Sequence, residues 1–145
     1  MVIKETLPIQ LVEIEPGNYH PFIFAKIGRQ KVRLLLDTGA SKTAFDQEQI
    51  LKFVSEETLR SYEIQSVGLG SNTVLTQLSH LPKIKFGSIE LQQQEVAVLN
   101  LSHVNQAYEM LNLKKIDGVL GSDILYALKA IINYPKAQLS LSQKR

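Results

Sequence analysis

Leu34-Leu35-Leu36-Asp37-Thr38-Gly39-Ala40-Ser41 is the stretch on which the reading of this chain turns. An ionised carboxylate at the end of so apolar a run is costly to bury unless charge partners or hydrogen bonds hold it there. The residues after Asp37 can provide them. Thr38 supplies a hydroxyl on a stiff branched side chain, Gly39 lets the backbone come close to the carboxylate, and Ala40 and Ser41 leave room beside it. The octet reads as a strand that enters the core covered on both faces and ends in a tight turn presenting Asp37.

On the N-terminal side, residues 22–27 and 31–36 are two runs of aromatic and branched residues around Gly28-Arg29-Gln30, a hairpin signal. Before them residues 7–15 alternate apolar and polar and reach Pro16-Gly17-Asn18, so a strand and then a turn are expected. On the C-terminal side, Ile50, Leu51 and Val54 have helical spacing and Ser55-Glu56-Glu57 reads as a fresh start, which predicts short surface helices over 46–59. Residues 62–67 and 73–78 enclose Gly68-Leu69-Gly70-Ser71-Asn72 as a second hairpin, and residues 83–86 and 89–91 enclose Gly87-Ser88 as a third, continuing into 95–99. Residues 25–32 can be laid on 84–91 without a gap, which fits either an internal duplication or the chance likeness of short-looped hairpins.

Residues 104–113 predict a helix with Val104, Ala107, Tyr108 and Leu111 on one face, decorating the core. Gly118-Val119-Leu120-Gly121 follows, then a helix over 123–129 capped by Ser122 or Asp123, and a closing hairpin of 130–134 with 138–141 through Pro135-Lys136. Strand-like segments predominate. The expected class is mostly β, a closed barrel-like sheet with a few short helices, in a single domain over 1–145.

Composition narrows the function classes. Sixteen Lys and Arg against 14 Asp and Glu leave a formal charge of +2, with the basic residues scattered except for a short tail at Lys144-Arg145, which speaks against nucleic acid as a partner. The chain has no cysteine, so disulfides, thiolate metal sites and thiol nucleophiles are excluded. His20, His80 and His103 stand apart without metal-ligand spacing and are expected at the surface. Gly68-Leu69-Gly70 is not followed by the Lys-Ser/Thr that a phosphate loop needs. Asp117 and Asp123 read as turn and helix cap, and Lys114-Lys115 as a solvated face. Lys4 and Glu5 interrupt the first apolar stretch and no run of about 18 apolar residues occurs, so no signal peptide or membrane span is expected and the cytoplasm is the expected location.

The run apolar-apolar-Asp-Thr-Gly-Ala-Ser at Leu35 to Ser41 resembles the active-site motif of the aspartic peptidases, and the chain length suits their retroviral-type, or retropepsin-like, branch. Gly68-Leu69-Gly70 resembles the flap that closes over substrate. Gly118-Val119-Leu120-Gly121 is similar to the apolar-apolar-Gly element that crosses behind the catalytic loop, and the closing hairpin looks like that of the retroviral-type domain of eukaryotic ubiquitin-shuttle proteins. The likeness spans roughly residues 22–141, with the helix at Val104 as an insertion. At Ser41 viral enzymes often carry other small or acidic residues, which leaves the working pH open.

The resemblance implies an aspartic endopeptidase with Asp37, Thr38 and Gly39 catalytic, and with Ala40, Ser41, Gly68, Leu69 and Gly70 against substrate. It implies no metal, no cofactor and no membrane, and as partners a peptide or protein substrate and a second copy of the chain. The mechanism needs two carboxylates sharing one proton. Of the four aspartates, Asp37, Asp46, Asp117 and Asp123, only Asp37 sits in Asp-Thr-Gly, so a two-fold homodimer must supply its twin. A catalytically silent module of the same fold, binding peptides by strand addition or serving dimerisation, is the competing expectation.

Overall fold

The computed structural model describes the backbone of residues 1–65 and 73–145. Strands β1 (Val2–Pro8), β2 (Gln10–Glu15), β3 (Asn18–Ile27) and β4 (Gln30–Leu36) precede the Asp37 turn, and β5 (Ala44–Asp46) follows it. Then come β6 (Arg60–Gln65), β7 (Thr73–Phe86), β8 (Ile89–Leu99), helix α1 (Ser102–Met110), β9 (Gly118–Leu120), helix α2 (Ser122–Ala127), β10 (Ile131–Asn133) and β11 (Gln138–Lys144).

The main sheet runs β2-β3-β4-β9-β5-β8-β7-β6, and β3 also pairs with β7 where Lys26 faces Lys85. That last pairing joins the sheet to itself. Strands β3, β4, β9, β5, β8 and β7 therefore form a closed six-stranded barrel, as the hairpin-rich sequence leads one to expect. Two pairings in it are parallel, β4 with β9 and β5 with β8, and the first of them ends at the Asp37 turn. A smaller sheet, β1-β11-β10, carries the two chain ends.

Hairpin chemistry sets the register. The β3–β4 and β7–β8 turns place Gly28 and Gly87 at φ of 61° and 62° in the first of two turn positions, where a type II′ turn demands glycine. The likeness of residues 25–32 to 84–91 is thus a likeness of turn and register, with Ile27 opposite Gln30 and Phe86 opposite Ile89.

Leu34 and Leu36 point into the main core with Ile23, Phe45, Phe86 and Leu120, while Leu35 packs on the other side against a second cluster of Phe22, Tyr108 and Ile116. Strand β4 is covered on both faces, as its three leucines require. Leu34 and Leu36 are buried and Leu35 is partly so; a leucine side chain fully buried contributes about 2 kcal/mol of transfer free energy.

Several local expectations give way to tertiary context. Residues 7–15 form two strands, because the Ile9 amide turns to donate to the Ala137 carbonyl at 2.8 Å and its side chain enters the core. Alternation survives such a break, so the sequence alone does not reveal it. The stretch 46–59 holds 3-10 turns at Gln49–Lys52 and Glu56–Thr58 in place of regular helices. Ile50 is fully buried beneath the first of them.

In α1 the residues that turn inward are Asn105 and Tyr108, while Val104, Ala107 and Leu111 are exposed. Asn105 bridges helix and loop, donating to the Ile116 carbonyl at 3.2 Å and accepting from its amide at 2.8 Å. A buried polar pair overrides the apolar stripe, and α1 covers the second cluster. His20 is part-buried, its Nδ1 2.9 Å from the Tyr108 hydroxyl, so it is not a plain surface residue. Among the described residues no helix is long and apolar enough to cross a membrane.

Candidate active site

The Asp37 turn is built where β4 runs out beside β9. Asp37 continues the ladder by one bond, its amide donating to the Leu120 carbonyl at 3.0 Å, and the chain then reverses through Ala40, whose amide donates to the Asp37 carbonyl at 3.2 Å. Inside this reversal the Gly39 amide donates to Asp37 Oδ1 at 3.0 Å. A Cβ at Gly39 would sit 3.3 Å from that same oxygen, so glycine is what allows the close approach. Asp37 and Ala40 are half-buried, and Thr38, Gly39 and Ser41 are exposed. The turn presents its carboxylate and the Thr38 side chain at the surface.

Gly121 crosses directly behind this loop. A Cβ there would lie 2.8 Å from the Ala40 carbonyl oxygen and 2.9 Å from the Thr43 nitrogen, and the Ser122 amide donates to the Ala40 carbonyl at 2.7 Å. The buried Thr43 hydroxyl ties the two elements, accepting from the Gly121 amide at 3.0 Å and donating to Asp123 Oδ1 at 2.7 Å, while the Thr43 amide donates to the same oxygen at 2.9 Å. Asp123 is therefore a cross-chain brace; neither it nor Ser122 caps α2, whose N-cap position falls on Gly121. Sequence reasoning passed over Thr43 because a threonine outside any motif carries no signal until its partner's position is known.

Replacing Thr43 by Val should cost about 2 kcal/mol, since it leaves the Gly121 amide and the Asp123 carboxylate without their shared hydroxyl. Urea unfolding measures it, and Thr43→Ser should recover most of the loss.

The other aspartates are engaged elsewhere. Asp46 is buried and takes three amides, those of Glu48 and Gln49 at 3.2 Å and of Leu101 at 2.9 Å. Asp117 takes the Arg33 amide at 2.8 Å and the Lys52 ammonium at 3.3 Å, which is more than the turn role its sequence suggests. With Asp123 held by Thr43, Asp37 is the aspartate this chain leaves at its surface turn. Next to the loop, Lys42 pairs with Glu95 at 2.7 Å and His80 Nε2 lies 3.6 Å from the same carboxylate. Gly68, Leu69 and Gly70, the expected flap, lie outside the described residues. Among the described residues no cluster of three His, Asp or Glu could hold a metal ion.

Comparison with known proteins bears on this geometry. The aspartyl protease family profile matches residues 23–124, which takes in the Asp37 turn, the Gly121 crossing and most of the barrel. A retropepsin-like aspartic protease from Rickettsia conorii superposes with a TM-score of 0.60 at 21% identity, over 98% of this chain and 92% of that one. The retroviral protease-like domain of Ddi1 from Leishmania major superposes with a TM-score of 0.56 at 13% identity, over 83% of this chain and 86% of that one. At such identities the likeness is one of fold. No curated protein sequence matches the chain.

Proposed function

This chain belongs to the aspartyl protease family, and we propose that it is an endopeptidase whose active site forms only when two copies, each one domain over 1–145, bring their Asp37 carboxylates together. The observation that carries this reading is the fate of the four aspartates: three are held by internal partners, and Asp37 alone ends a core strand in an exposed turn. A single subunit has no second aspartate to offer. A two-fold axis beside the turn supplies one, because an isologous contact sets each residue opposite its own copy.

Two carboxylates in contact cannot both ionise, so the pair holds one proton. The ionised member takes a proton from a water lying between them as that water's oxygen bonds to the substrate carbonyl carbon, and the protonated member gives its proton to the carbonyl oxygen. The member that took the water's proton then passes it to the amide nitrogen while the other takes a proton from a hydroxyl of the tetrahedral carbon, the carbon–nitrogen bond breaks, and the dyad again holds one proton. Thr38, exposed in the lone subunit, bridges the two loops, and Gly39 keeps the backbone close behind the carboxylates. Ala40 and Ser41 meet the substrate backbone from below, while Gly68, Leu69 and Gly70 close over it, with Leu69 touching an apolar side chain.

An edge suited to pairing supports the two-fold arrangement. Among the described residues strand β10 pairs with β11 on one side only, and its Ile131 is 66% exposed. An unpaired edge with an exposed apolar side chain is a ready template for a second strand of the same kind.

Dilution tests the proposal. Cleavage of a quenched fluorescent peptide, expressed per chain, should fall as the protein is diluted through the concentration at which sedimentation shows dimers parting. A constant rate per chain across that transition would remove the shared site. An intact dimer with no cleavage at any pH would leave the silent peptide-binding module.

A further inference from the structure

At the far end of β4 from the Asp37 turn lies a groove of about 1020 Å³. Lys31 and Arg33 of β4 form part of its floor, Lys52 comes from the first 3-10 turn, and Lys114 and Lys115 come from the stretch between α1 and β9. Arg33 precedes Asp37 by about 13 Å of extended chain, so the groove is remote from that turn.

Its charge is unbalanced. Against these five cations stand two lining carboxylates, Glu109 and Asp117, and both are taken: Glu109 pairs with Lys115 at 3.2 Å and Asp117 with Lys52 at 3.3 Å. Five less two leaves three, namely Lys31, Arg33 and Lys114. Among the described residues none of the three forms an ion pair. Lys31 and Arg33 rest instead on aromatic faces, the Lys31 ammonium 4.1 Å from the Phe24 ring centre and the Arg33 guanidinium 4.0 Å from that of Phe22. Arg33 Nη1 donates to the Gln10 side-chain oxygen at 2.8 Å, and its Nε is buried without an acceptor. Burial lowers the pKa of Arg33, so its charge is held at a cost that a bound anion offsets.

Cations stacked on rings are held in place before any ligand arrives, and several gathered in one concavity focus a positive potential. The size and lining say what answers it. The groove is at the upper end of the range for ligand sites, far larger than an inorganic ion, and Val12, Phe24 and Leu113 add apolar surface between the charges. The ring faces that would stack on nucleic-acid bases are already covered by Lys31 and Arg33, which favours carboxylates over a polynucleotide. We propose that this groove docks an extended acidic segment of a protein partner, its carboxylates on Lys31, Arg33 and Lys114 and its apolar side chains between them. Docking there needs no second subunit and no cleavage, so it stands apart from the peptidase reading.

The test uses the full chain and a fluorescein-labelled peptide of alternating Glu and Leu, followed by fluorescence polarisation. Saturable binding is expected, weakening as salt rises. The double variant K31E/K114E, at two exposed positions, should bind about tenfold or more weakly, with a thermal midpoint lowered by no more than a few degrees for the lost Lys31–Phe24 contact. K114E alone, outside any strand or helix, should lower affinity about threefold and keeps the test open if the double variant folds poorly. Absence of saturable binding, equal binding of the Gln-Leu peptide, equal affinity for the variants, or tighter binding of a single-stranded oligonucleotide would each overturn the proposal.

Discussion

Replacing Asp37 by Asn should lower peptide cleavage by roughly 10⁴-fold and leave the fold intact. The amide oxygen of Asn can still accept the 3.0 Å bond from the Gly39 amide, so the turn keeps its shape. What is lost is the ability to share a proton: an Asn pair offers neither a base for the water nor an acid for the carbonyl oxygen. The shared site makes a sharper demand as well. When native and Asp37→Asn chains are mixed in equal amounts and allowed to exchange, random pairing leaves about a quarter of the dimers with two native aspartates. Activity per native chain should then fall by about half, and further with excess variant. A chain that worked alone would show no such loss. Cleavage by the mixture, measured before and after exchange, separates the two.

The second large effect lies behind the site. Gly118→Ala should destabilise the protein by about 3 kcal/mol or more, a drop of roughly 10 °C in thermal midpoint, or prevent folding outright. Gly118 pairs with Leu34 on one side and Phe45 on the other, where β4, β9 and β5 meet. A Cβ there would lie 2.3 Å from the Ala44 carbonyl oxygen and 3.1 Å from the Phe45 Cα, and both neighbours are backbone in the barrel wall. Neither can turn aside as a side chain could. Gly28→Ala makes the comparison: its Cβ meets nothing within 4 Å, so only the φ of 61° is penalised, at about 1 kcal/mol. Scanning calorimetry of the two variants should separate a steric cost from a conformational one.

What the sequence reveals of this protein follows from how local each feature is. The Asp37 turn, the glycine hairpins at Gly28 and Gly87 and the leucine strand were legible because each is decided by neighbouring residues: a φ that only glycine adopts easily, or a run too apolar to face water. The roles of Thr43, Asp117 and Asp123 were not. Each meets a partner 65 or more positions away, and until β9 lies against β4 nothing marks these residues from other polar ones. The inward face of α1 misled for a related reason: Asn105 satisfies the Ile116 backbone, and a buried polar group with its partners fixed outranks an apolar stripe. The basic groove stayed hidden because its lysines are scattered along the chain and gather only in the folded barrel.

The gap between the two Asp37 carboxylates in a crystal of the dimer is the most direct measurement. Proton sharing requires oxygens about 3 Å apart across the two-fold axis. Subunits packed with those carboxylates well beyond hydrogen-bond reach, in protein that still cleaves peptide, would contradict it.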